Sequence, residues 1–92
     1  MATATASVTL STSAYTALSS AGAAVVMVAP LQFAAQVAVA TSLPSASTAN
    51  WFPVAAGDQI IIRGLGASDI VYALGSGGSS ADATRIVKVM TQ

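Results

Sequence analysis

Three consecutive isoleucines, Ile60–Ile62, are shut in between Gly57-Asp58 on one side and Gly64-Leu65-Gly66 on the other. That spacing constrains the fold more than any other feature of the chain. Isoleucine is β-branched and packs best on a pleated surface, whereas Gly and Asp supply the positive φ and the local side-chain hydrogen bonds that turns need. A strand therefore starts at Ile60 and stops at the glycines. Beyond the loop 64–68, Asp69–Leu74 again reads as a strand, which makes Trp51–Leu74 a lead-in followed by a β-hairpin. Antiparallel pairing would set Arg63 opposite Asp69 at the loop mouth, an exposed pair worth well under ~1 kcal/mol.

The rest of the chain continues the pattern of short runs cut by turn signals. Thr3–Leu10 alternates apolar or β-branched residues with small ones and reads as a first strand with Val8 and Leu10 on one face, or as an extended arm over residues 1–7. Tyr15–Leu18 is a short second strand, with Tyr15 and Ala17 opposite Thr16 and Leu18. Ala23–Ala29 is a continuous apolar run, expected to be a strand buried on both faces and ended by Pro30. Phe33–Thr41 alternates, which turns Phe33, Ala35, Val37, Val39 and Thr41 inward. Residues 42–50 form a loop by their Pro, Ser, Thr and Asn content, Gly75–Ala83 is a glycine-serine connection, and Thr84–Met90 is a closing strand. No stretch reads as a helix and no repeat is visible. The expected fold is all-β: one domain over residues 1–92, a small antiparallel β-sandwich or barrel, jelly-roll-like, of seven to eight short strands.

A chain of 92 residues builds one modest core. Alanine accounts for 21 of its residues, so that core is made of small pieces. The charged inventory is Asp58, Arg63, Asp69, Asp82, Arg85 and Lys88, 7% of the chain against a usual ~25%, and no charged side chain precedes Asp58. A free monomer uses charge to stay dispersed and to blunt its sheet edges. This chain offers Ser, Thr and Ala instead, which implies that other protein chains cover much of its surface. A net charge of zero and the lack of a basic cluster argue against nucleic acid. The segment MATATASVTL has no positive n-region or long apolar core, so export through a signal peptide is not expected.

The chemical inventory is equally narrow. The chain has no His, Cys or Glu, which removes triads, thiolate chemistry, imidazole metal sites and the usual general bases. No enzymatic activity, metal or cofactor is expected. Asp58 and Asp69 would lie at opposite ends of the hairpin, too far apart for a carboxylate pair, and each Asp reads as a turn or strand-end residue. GSGGSSAD lacks the Lys and Ser/Thr ending of a phosphate-binding loop. Trp51 and Phe52 are adjacent, so in extended backbone they point to opposite faces: one can enter the core while the other meets a partner, or both can be partly buried.

The patterns STSAYTAL, QVAVATSLPSAS, WFPVAAGDQIIIRGL, DIVYALGSGG and RIVKV resemble those of small β-sandwich virion proteins of tailed bacteriophages, the capsid decoration or cement proteins and the head-fibre or tail-associated domains built like them. The resemblance runs over about residues 7–90. It implies a homo-oligomer, with a trimer favoured, on the outside of the capsid, made in the bacterial host cytoplasm and bridging subunits of the major capsid protein or other virion proteins. It brings no catalytic residue. The uncharged segment Ala2, Thr3, Ala4, Thr5, Ala6 and Ser7 is expected to add a strand to a neighbouring subunit or lie along it, and Trp51 with Phe52 completes the candidate partner interface.

Two other classes compete. A ligand- or glycan-binding module of a phage fibre or tail would use exposed aromatics, for which Trp51 and Phe52 are the candidates. A membrane-inserted peptide would use Ala21–Ala40, twenty residues without a charge. Pro30, Gln32, Gln36 and the missing Lys/Arg or aromatic anchors argue against the second.

Overall fold

The computed structural model describes residues 4–31, 33–45, 48, 51–75 and 86–92. Eight strands follow one another: β1 (Ala4–Thr9), β2 (Thr16–Ala17), β3 (Val25–Pro30), β4 (Ala35–Ala40), β5 (Phe52–Val54), β6 (Ile60–Arg63), β7 (Ile70–Gly75) and β8 (Ile86–Thr91). They form two four-stranded antiparallel sheets, ordered β1-β8-β3-β6 and β2-β7-β4-β5. The sheets stay open, each with two edge strands, so the fold is a sandwich and not a closed barrel. This strand order is that of a jelly roll, in which the chain passes back and forth between the layers.

The core follows from period-two alternation in both sheets. Val26 and Val28 of β3 and Val87 and Val89 of β8 point inward from the first sheet and are buried, as are Ala35 and Val37 of β4 and Val71 and Ala73 of β7 from the second. Leu10, Leu18 and Val54 close the ends, and Val8, Phe52, Ile60, Ile62 and Leu65 pack against the rim. Most of these side chains are valines or smaller, as the alanine-rich composition requires.

A second apolar cluster sits on the outer face of the second sheet. Tyr15, Ala38, Tyr72 and Leu74 are all buried there, with Ala40 and Ile70 against them. β7 is therefore the strand buried on both faces. The expectation that Ala23–Ala29 would be so is corrected: in β3, buried Val26, Val28 and Pro30 alternate with half-buried Val25, Met27 and Ala29. The reason lies in the neighbours, since β7 has Tyr15 packed over its outer side and β3 has the open outer face of the first sheet. The strand expected over Tyr15–Leu18 is only Thr16–Ala17, but the facing of its two flanking residues holds, with Tyr15 in the outer cluster and Leu18 in the core.

The hairpin expected within Trp51–Leu74 does not form. β6 pairs with β3 in the first sheet, whereas β7 pairs with β4 and β2 in the second. A loop of five or six residues closes a hairpin, but it also spans the ~10 Å between packed sheets, and local sequence does not choose between the two. Arg63 is consequently the ladder partner of Val25 and not of Asp69. Asp69 instead holds its own turn: its backbone N–H donates to the Gly66 carbonyl at 3.1 Å, and the Gly66 N–H donates to its Oδ2 at 2.8 Å. The separation argued for Asp58 and Asp69 along a hairpin falls with it. The lead-in is itself a strand, β5, which forms with β4 the one hairpin between consecutive strands of a sheet.

The inward face expected for Phe33–Thr41 holds at Ala35 and Val37, but Val39 is 39% exposed, past the last residue of β4 that β5 pairs with, and Thr41 is exposed. Ala21–Ala40 contains β3 and β4, which lie in different sheets, and among the described residues no helix is long and apolar enough to cross a membrane. The glycine-serine connection after Gly75 lies outside the described residues.

Candidate interaction surface

Two features of the first sheet stand out once the strands are placed: its β1 edge and its outer face. β1 pairs with β8 over all six of its residues, from Ala4 with Thr91 to Thr9 with Ile86. Among the described residues no strand pairs with its other side. Thr5, Ser7 and Thr9 turn to the outer face, because Val8 packs against the core and alternate residues share a face.

On that outer face, ladder partners from four strands line up in a row. Thr5 pairs with Met90, Met90 with Met27, and Met27 with Ile61. Ile61 is 47% exposed and both methionines are half-buried. Lys88 and Arg63 flank this apolar band from the neighbouring rows, Lys88 between Ser7 and Ala29 and Arg63 beside Val25. The Lys88 Nζ donates to Ser7 Oγ at 2.6 Å, which ties the cation to β1. A shallow groove of about 300 Å³ runs here between Thr5 and Ser7 on one side and Met27, Lys88 and Met90 on the other.

Of the interface residues expected from sequence, Ala2 and Thr3 lie outside the described residues, Ala4 opens β1, and Thr5, Ala6 and Ser7 are exposed along it. Trp51 and Phe52 divide as adjacent strand residues must. Phe52 packs against the core, and Trp51 is 38% exposed. Phe52 opens β5 at an edge of the second sheet and Trp51 lies just before it, so the structure does not join the aromatic pair to β1 in one ladder. The Met27–Met90–Ile61 row was missed by sequence reasoning because it joins strands far apart in the chain. The alternation in TRIVKVM was its one local trace.

The exposed Lys88 Nζ donates to Ser7 Oγ and does not accept from it, and among the described residues no three His, Cys, Asp or Glu come together. What the arrangement offers is an uncharged strand edge beside an apolar, cation-flanked face. No protein-family model matches the chain, and neither curated proteins nor solved structures give a significant match.

Proposed function

We propose that this chain is a structural protein of a bacteriophage virion, a decoration protein that binds the outer capsid shell as an oligomer and stabilises it by bridging capsid subunits. The observation that carries the reading is the charge-free surface: from Ala4 to Gly57, five strands and their loops expose no charged side chain. Such a surface suits a protein whose neighbours cover it. The jelly-roll order agrees with this reading as an analogy of fold, since capsid proteins use it, although lectins and cupins do too. The mechanism is mechanical: each contact is weak, and many symmetry-related contacts add through multivalency.

The test is co-sedimentation with shells assembled from the major capsid protein of the phage that encodes the chain. Saturable binding and a higher temperature of shell disruption are expected. Shells that neither bind the chain nor gain stability would refute the reading.

The exposure of Trp51 favours one second reading, a glycan-binding module of a fibre or tail. Trp51 is the single tryptophan, so its fluorescence would report directly on titration with host surface polysaccharide.

A further inference from the structure

We infer that the outer edge of β1, which no strand among the described residues pairs with, is a docking site for the β1 edge of a second copy of this chain, the two strands pairing antiparallel about a two-fold axis through Ser7. This does not depend on the virion reading. It rests on a comparison of the four sheet edges. β2 has two residues, too few to template a ladder. β5 has three, with Pro53 at the centre, which lacks an N–H to donate. β6 has four and ends on exposed Arg63. β1 has six residues, Ala-Thr-Ala-Ser-Val-Thr, with no proline, glycine or charge. It is the one edge without the devices that keep strands from pairing with another chain, and what it presents is a row of backbone donors and acceptors about 20 Å long at ~3.4 Å per residue. The chemistry that satisfies such a row is another extended strand.

A second copy fits because the edge is complementary to itself. A two-fold axis perpendicular to the joined sheet keeps each face on its own side, so residues directly opposite must share a face. Centred on Ser7, this sets Ser7 against Ser7, Thr5 against Thr9 and Ala6 against Val8 of the second copy. All three outward hydroxyl residues of the described strand then find hydroxyl partners, a favourable class of cross-strand pair, and half-buried Val8 gains an apolar neighbour. Lys88 and its counterpart sit on strands three spacings apart, about 14 Å at ~4.8 Å each, but each Nζ leans onto Ser7 and brings its charge toward the axis, so added salt should strengthen the dimer. Two such sheets would join into one of eight strands, with the Met27–Met90 groove repeated on either side of the axis. The interface is small, so a weak, concentration-dependent dimer is expected.

Because the chain has no cysteine, single substitutions report the register cleanly. Opposed strand residues have Cα atoms ~4.5–5.5 Å apart, within disulfide range. Under mild oxidation, Ser7→Cys should cross-link to itself, and Thr5→Cys should not. A mixture of Thr5→Cys and Thr9→Cys should give a mixed dimer. In parallel, sedimentation velocity of the unaltered chain over a concentration series should show monomer and dimer. The double variant Thr5→Lys, Thr9→Lys places like charges opposite each other twice, and should raise the dissociation constant at least tenfold while the far-ultraviolet spectrum stays unchanged. Cross-linking of Ser7→Cys no greater than that of Thr5→Cys would overturn the proposal. So would association that ignores the two lysines, or a solution mass of three chains.

Discussion

Tyr15 carries the one buried polar side-chain atom without a hydrogen-bond partner among the described residues: its hydroxyl is enclosed in the outer cluster with Tyr72 and Leu74. An unpartnered buried hydroxyl is destabilising by about 1–3 kcal/mol, while the ring contributes apolar contact. Tyr15→Phe removes the first and keeps the second, so it should leave stability unchanged or raise it by about 1 kcal/mol in urea unfolding; a clear loss would mean that the hydroxyl has a partner. Burial also holds the phenol above its ordinary value near 10. Above pH 10 the unfolded chain releases this proton while the folded chain keeps it, so folding stability falls as pH rises. The alkaline loss should be shallower in Tyr15→Phe. Ser19 shows the opposite situation. Its Oγ accepts from the Val71 N–H at 3.2 Å just where β2 ends, so a side chain continues the ladder that the backbone stops supplying.

At the level of elements, turns legible as glycine signals proved to differ in what they demand. Gly57 has φ +86°, and a Cβ there would meet nothing within 4 Å. Its turn is closed by the Asp58 N–H donating to the Ala55 carbonyl at 3.1 Å. Gly22 has φ +77°, and a Cβ there would lie 3.1 Å from the Ala67 carbonyl oxygen, because the β2–β3 loop packs on the β6–β7 loop. Gly57→Ala should therefore show only the backbone penalty of about 1–2 kcal/mol. Gly22→Ala should show that penalty plus the cost of parting two loops, and thermal unfolding of both variants should rank them so. Equal losses would mean that the loops yield freely. The conformational need for glycine was readable from the residues around it, whereas the contact with Ala67, 45 positions away, was not.

For the whole molecule the governing quantity is the distribution of charge over a sandwich that has two open sheets. The outer face of the second sheet is closed by its own tyrosines and leucine, which leaves the Met27–Met90–Ile61 band as the apolar face open to a partner. If a capsid shell is that partner, Ile61→Glu should lower shell binding at least tenfold, about 1.4 kcal/mol. It should leave monomer stability nearly unchanged, since Ile61 is 47% exposed and surface substitutions have small effects. Unaltered binding would move the contact away from this face.

The sequence by itself determined that the chain is all-β, where most strands begin and end, and that Ala35 and Val37 of β4 turn inward, because alternation and turn chemistry act over two to six residues. It also determined the lack of charge on which the reading of a covered surface rests. Only the tertiary structure decided that β6 and β7 part into different sheets and that β7 is the doubly buried strand. It likewise decided that Asp69 holds a turn, and that Thr5, Met90, Met27 and Ile61 form one row. Each of these depends on which strand lies beside which. A short loop can return along a sheet or cross the gap between two, and the choice falls to the packing of both layers together.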